Sequence, residues 1–231
     1  WPRDKICGDA VGGKSLSHVS ELGVKADLEA TPHFRVTGIV FSSPKGNTVR
    51  VPLPEEDVEK MEAGYALPRA QFDSLLFNRC QALVREAGGS IIQGGDVRTV
   101  LFDDGVGGQD PGEGSGDARH AAGIIVRIGG RNGEERTFYS RELVGAAGYR
   151  CPVARSVVES SYSEVMMDRD HYCGGYREYW KNVKGCEANI GDIEIHFVDS
   201  VIPGYFWLFP VSENVVNVGI GMVMGLLDKQ K

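Results

Sequence analysis

Two stretches of the 231-residue chain bring together residue types that do chemistry. Pro203 to Gly221 packs Tyr205, Phe206, Trp207 and Phe209 into five positions, closes them with Pro210 and ends on Gly219 and Gly221 after a β-branched run. Alternation along a strand places Tyr205, Trp207 and Phe209 on one face and Phe206 and Leu208 on the other. Glycines facing an aromatic stripe let a flat, apolar ligand approach the backbone closely. The core of a β-sandwich would show the same pattern. The second stretch, Gly8 to Ser15, satisfies the phosphate-loop lettering GxxxxGK[ST]. That motif works only where a buried strand delivers the loop and a helix receives it. Here Pro2, Arg3, Asp4 and Lys5 precede it, and Asp9 places a carboxylate among the expected phosphates. An NTPase, with Ile195–Asp199 as a metal-binding strand, is therefore the remote alternative.

The remaining chemistry-bearing residues are scattered. Cys7, Cys80, Cys151, Cys173 and Cys186 are odd in number and contain no CxxC, which argues for reduced thiols and a cytoplasmic location. The five histidines never fall at metal-ligand spacing, so no metal is expected. A net charge of −7 leaves no basic stripe for nucleic acid. No apolar run approaches the length of a membrane span, and no secretory signal is present. The sequence begins at Trp1 and ends in LLDKQK directly after a strand-like run, which reads as an internal piece of something longer.

The elements that must position these residues read as follows. Val24 to Val51 alternates as strands, with His33–Phe41 and Thr48–Val51 forming a hairpin around the turn-rich 42–47 loop. Pro54 and the acids Glu55, Glu56 and Asp57 open a short helix. A long helix runs from Arg69 to Ala87, its apolar stripe made by Phe72, Leu75, Leu76, Cys80, Leu83, Val84 and Ala87, and Gly88–Gly89 stop it. Ser90–Gln93, Val97–Phe102, Ala122–Ile128 and Glu135–Tyr139 read as strands. The acidic, glycine-rich link 103–118 reads as a mobile loop. Glu142–Val144 reads as a strand running through the Gly145–Gly148 turn into a helix from Pro152. Arg177–Val183, Asp192–Val198 and the aromatic hairpin complete the set.

Four separated stretches, in this order, resemble the geranylgeranyl reductases, FAD-dependent enzymes within the hydroxybenzoate-hydroxylase-like flavoprotein group. They are Lys5–Asp9, Leu67–Asp73, Gly145–Gly148 with Val153–Arg155, and Tyr205–Gly221. The last matches the family's prenyl-wall signature, Tyr-x-Trp-x-Phe-Pro followed after eight residues by Gly-x-Gly. The stretch from His171 to Val183 also resembles bacterial members, including proteins like the geranylgeranyl (bacterio)chlorophyll reductases.

The resemblance implies reduction of C=C bonds in a geranylgeranyl or other prenyl chain, carried on chlorophyll or a lipid. FAD would be the cofactor, with NADPH or another reductant as electron source. It implies Cys7 at the reacting centre and Gly8, Asp9, Arg69, Gly145 and Gly148 at the cofactor. Tyr205, Trp207, Phe209, Pro210, Gly219 and Gly221 would then lie at the substrate. Departures are Ala147 in place of the turn's usual acid, Cys151–Pro152 in place of a following serine, and the lack of both the GxGxxG segment and the later Gly-Asp-Ala motif. Without that GxGxxG segment the chain as it stands is not expected to hold FAD tightly.

The expected fold is α+β. A mixed or antiparallel substrate-domain sheet is joined to an incomplete FAD-domain remnant holding the long helix and a three-stranded meander. The expected divisions are a flavin-side Cys-Gly-Asp loop (1–20), the first part of the substrate domain (21–64), the remnant (65–150) and the second part of the substrate domain (151–231). The expected partner is a prenylated small molecule or lipid, with peripheral membrane contact and self-association of the remnant left open. Alternatives are a prenyl-binding domain without catalysis, and a related flavin monooxygenase or electron-transfer dehydrogenase.

Overall fold

A computed structural model describes residues 1–60, 63–102, 124–129, 133, 135–162 and 172–225. The chain forms two compact units, one of Trp1–Ile91 with Arg169–Lys231 and one of Ile92–Asp168. The first part of the larger unit holds β1 (Ala10–Gly12), α1 (Lys14–Glu21), α2 (Lys25–Ala30), β2 (Phe34–Ser42), β3 (Thr48–Pro52), α3 (Glu55–Glu59), β4 (Gly64–Ala66) and α4 (Arg69–Glu86). The smaller unit holds β5 (Asp96–Phe102), β6 (Ile124–Gly129), β7 (Glu135–Ser140) and α5 (Pro152–Tyr162). The chain then returns to the larger unit as β8 (Cys173–Lys181), β9 (Ile190–His196), β10 (Tyr205–Ser212) and β11 (Val215–Val223).

The expected α+β class is what is found. The larger unit carries one eight-stranded mixed sheet in the order β1-β4-β2-β9-β10-β11-β8, with β3 also beside β2. Among the described strands only β2 and β9 pair in parallel, and the long chain between them supplies the crossover such a pairing needs. The smaller unit carries the expected antiparallel meander, β5-β6-β7. In the larger unit Phe34, Val36, Ile193, Trp207, Phe209, Val211, Val216 and Val218 build one buried cluster along the sheet. A second cluster joins Val11, Leu16, Val19, Val24, Leu28, Tyr65 and Leu67, against which Phe72, Leu75 and Leu76 of α4 pack.

Several readings from the sequence need correction. Within the Val24–Val51 stretch, Lys25–Ala30 is helical, because Leu28 fills the second cluster from one helical turn rather than alternating along a strand. Ser90–Gln93 is not a strand: Gly88 and Gly94, both at positive φ, turn the chain on either side, and among the described residues no strand pairs with it. Glu142–Val144 is likewise irregular, and Val144 is exposed. The stripe on α4 packs through Phe72, Leu75 and Leu76 of its first half, which are partly buried, whereas Cys80 and Leu83 are exposed. Residues 103–118 lie outside the described residues. The hairpin 34–52, the helix after Pro54, the stop of α4 at Gly88 and the aromatic hairpin are as read.

One polar contact ties three neighbouring strands together. Arg50 on β3 grips Asp192 on β9 with Nε at 2.6 Å and Nη2 at 2.8 Å, across the intervening β2. The bridge passes over Gly38, where a Cβ would stand 2.7 Å from Asp192 Oδ1. Hydrogen bonds from Arg50 hold the Asp192 carboxyl below its usual range. A lowered folded-state value means this stability is present above the unfolded carboxyl pKa, about 3.9, and is lost as pH falls through the folded value. Asp192→Asn is therefore expected to lower stability by about 0.5–1 kcal/mol at pH 7. In urea titrations the difference from the parent should fade as pH falls below the unfolded carboxyl value, about 3.9.

Candidate functional site

The aromatic hairpin presents the site because its register is tight. Glu213 and Asn214, the latter at φ 55°, close the turn between β10 and β11. This sets Tyr205 opposite Gly221, Trp207 opposite Gly219 and Phe209 opposite Asn217. Trp207 and Phe209 are buried at 6% and 9% exposure, whereas Tyr205 is 42% exposed. The space over Gly219 is taken by the protein's own indole, since a Cβ there would lie 2.1 Å from the Trp207 ring. At Gly221 the same ring is 3.7 Å away. Pro210 sits half-buried beside the register shift that ends the pairing.

The segment Cys7-Gly8-Asp9 packs against this face. A Cβ on Gly8 would meet the Phe209 ring at 2.6 Å, so only glycine lets the loop approach so closely. Asn217, fully buried, accepts a hydrogen bond from Trp207 Nε1 at 2.9 Å and donates to the Cys7 carbonyl at 2.7 Å. Asp9 is buried at φ 66°, and its Oδ2 accepts from the Tyr179 hydroxyl at 2.6 Å. Its Oδ1 has no partner within hydrogen-bond geometry among the described residues. Burial raises the Asp9 carboxyl above its ordinary value, against the lowering effects of Tyr179, Asn217, the Arg177 charge and the Arg69 backbone N–H. Burial and the Asp9 bond push the Tyr179 hydroxyl up as well.

Two arginines border the loop. Arg177 lies 4.2 Å over the Tyr179 ring and donates to Asp4 at 2.7 Å, while its buried Nε has no partner among the described residues. Arg69 opens α4, where a cation opposes the helix dipole. Asp73, one turn on, answers it with bonds of 2.7 and 2.9 Å. The Cys7 thiol is a further neighbour of the Arg69 guanidinium, and Cys7 itself is half-exposed. Tyr179, Asn217, Asp73 and Arg177 were not singled out in the sequence. Asn217 had a signal there, because alternation puts it on the same face as Gly219 and Gly221.

The phosphate-loop lettering is not a phosphate cradle. Its middle, β1, pairs with β4 from Ala10↔Ala66 to Gly12↔Gly64, so the residues meant to wrap an anion form a strand. In the smaller unit Gly145 lies against Cys151 and Val153, where a Cβ would come within 3.0 Å of each. Gly148 is at φ 76° and opens a short turn before α5. Backbone N–H groups of Ala154, Ala147 and Val153 hold the Cys151 thiol below its ordinary pKa. Among the described residues no group of three or more His, Cys, Asp or Glu is placed to hold a metal ion. No described helix is long and apolar enough to cross a membrane.

The fold is similar to that of part of several solved flavin enzymes. It superposes on a myxobacterial FAD-dependent chondrochloren halogenase with TM-score 0.68 at 20% identity, covering all of this chain and 47% of the other. A geranylgeranyl bacteriochlorophyll reductase-like protein from Thermoplasma acidophilum gives TM-score 0.65 at 18% identity over 96% of this chain and 47% of that one. No protein-family model matches the chain.

Sequence relatives narrow the likeness. They include a digeranylgeranylglycerophospholipid reductase of Sulfolobus acidocaldarius, 29% identical over 98% of this chain and 44% of its own length. A menaquinone reductase of Mycobacterium tuberculosis is 24% identical over 96% and 47% respectively. These findings support the resemblance to geranylgeranyl reductases within the FAD-dependent flavoproteins. The chain spans about half the length of the curated relatives it matches.

The two glycines of the hairpin should answer differently to substitution. Gly219→Ala forces a methyl group into the Trp207 ring and is expected to cost about 1–3 kcal/mol or more. Gly221→Ala meets ordinary contact distances and should stay within about 0.5 kcal/mol of the parent in urea denaturation. At Asp9 the raised folded-state value means the group favours the folded state below the unfolded pKa, and that advantage is lost as pH rises through the folded value. Asp9→Asn, which keeps an acceptor for Tyr179, should therefore remove that loss. It should be at least as stable as the parent at pH 7 in the same titration.

Proposed function

We propose that this chain is part of an FAD-dependent oxidoreductase that reduces C=C bonds in a prenyl chain. The observation that carries the reading is the Cys7–Asp9 loop held directly on the Tyr205–Gly221 hairpin by Asn217 and by the Gly8–Phe209 contact. These are the two stretches through which the sequence resembles geranylgeranyl reductases, and two of the relatives act in their names on an isoprenoid lipid and on a quinone.

The residues fit the ring side of a flavin. Among the described residues Asp9 Oδ1 is a buried acceptor without a partner, and the half-exposed Cys7 lies two positions before it on a loop whose Gly8 has no side chain. Arg69 of the same unit is the further group assigned to the cofactor. Nothing in the sequence has the GxGxxG form that holds a pyrophosphate at a helix N-terminus, so this chain's contribution is to the ring rather than to the dinucleotide. FAD, when bound, supplies the electron pair for the reduction.

The protein's own residues then have two tasks. An isolated alkene develops no oxyanion to stabilise, so positioning carries much of the catalysis. Tyr205, exposed at the end of the aromatic stripe, contacts the tail, while Trp207 and Phe209 form the rigid backing of that wall. Cys7 lies at the reacting centre. The substrate is a prenyl group on a quinone, a lipid or a chlorophyll-type ring, and NADPH or another reductant reloads the cofactor.

Expression of the longer gene is expected to give a yellow protein whose absorbance bleaches on reduction and which saturates a prenyl double bond. Tyr205→Ala should raise KM for that substrate roughly threefold to tenfold, the loss of about 1 kcal/mol of aromatic contact, at unchanged flavin content. A colourless full-length protein sinks the reading, and loss of flavin in the Tyr205 variant moves that residue to the cofactor.

A further inference from the structure

We propose that Asn217 is a positioning residue that clamps the Cys7 loop to the substrate wall. This rests on the reading above and assigns a role to a side chain that lies between the family-like motif positions. The groups it joins are of opposite kinds: the Trp207 indole N–H can only donate and the Cys7 carbonyl can only accept. A primary amide is suited to such a bridge. Its oxygen accepts from Trp207 at 2.9 Å and its nitrogen donates to Cys7 at 2.7 Å, which also settles the orientation of the amide. The nitrogen further helps to stabilise the charged form of Asp9.

The bridge spans 210 positions of sequence to Cys7; Asn217 itself is fully buried, its bond to Trp207 is buried and its bond to Cys7 is part-buried. Buried amide bonds are costly to leave unmade, so the loop and the wall are held in one register. Phe209 against Gly8 supplies the apolar half of the same clamp. Cys7 owes its placement beside Arg69 to its own carbonyl being held from below, because the thiol and the carbonyl belong to one residue.

The clamp makes a prediction that does not depend on turnover. Asn217→Asp keeps an acceptor for Trp207 but removes the donor to Cys7, while Asn217→Ser is too short to reach either and serves if the aspartate variant does not fold. In the full-length protein each variant should raise the rate of iodoacetamide alkylation at Cys7, read by peptide mass spectrometry, by roughly tenfold, the opening expected from one lost buried bond. The buried thiol of Cys186 in the same unit is the internal control and should react as in the parent. With a prenyl substrate, kcat should fall while KM stays within about twofold, because the wall remains and only the reacting side loosens. Cys7 alkylation at the parent rate, or a rise shared equally by Cys186, overturns the proposal. A full-length protein without flavin sinks the reductase reading, yet the Cys7 comparison still decides whether the clamp exists.

Discussion

The large indole of Trp207 lies flat across a strand neighbour that has no side chain, and much of the larger unit follows from this. With Gly219 opposite, the ring fills the inner face of the hairpin, and its N–H reaches Asn217, two cross-strand pairs along the ladder on the same face. Asn217 then has an amide nitrogen to spare and spends it on the carbonyl of Cys7. The chain's first residues are thereby fastened to its last described strand. Phe209 presses on Gly8 from the same face, so the apolar and polar parts of the contact reinforce each other.

Around that contact the structure tolerates buried polar groups without full pairing. Asp9 is stabilised on one oxygen by Tyr179 and is open on the other, and Arg177 keeps an unpartnered Nε beneath solvent-facing bonds to Asp4 and the Lys5 carbonyl. Stability alone would favour satisfying or removing such groups, since each orphan costs on the order of 1–3 kcal/mol. The fold by itself does not name the reaction: the same architecture supports a halogenase and a reductase-like protein at similar superposition. The proposed reaction rests instead on the sequence relatives, which are named as reductases.

The sequence made the hairpins, the long helix, the meander and the α+β class legible, because each is written in short-range pattern: alternation, a glycine stop, a turn pair. It also exposed the motif-bearing residues Cys7, Asp9, Arg69, Tyr205, Trp207, Phe209 and the hairpin glycines through their order along the chain. It failed where a segment's form depends on a distant neighbour. Ser90–Gln93 has strand-like residues but finds no strand beside it, and Lys25–Ala30 turns helical because Leu28 is wanted in a particular cluster. The phosphate-loop lettering misled for the same reason, since its middle residues are claimed by β4.

Alternation by itself determined that Trp207 and Phe209 share a face with Gly219, and only the resemblance to the geranylgeranyl reductases marked Cys7-Gly8-Asp9 as a unit. Only the tertiary structure decided what lies against that face, and hence that Tyr205 remains accessible while Trp207 is enclosed. It alone revealed Asn217 and Tyr179, whose roles come from partners about 210 and 170 residues away. A hydrogen bond of that separation leaves no periodicity in sequence; it exists only once the sheet has brought both ends of the chain to one place.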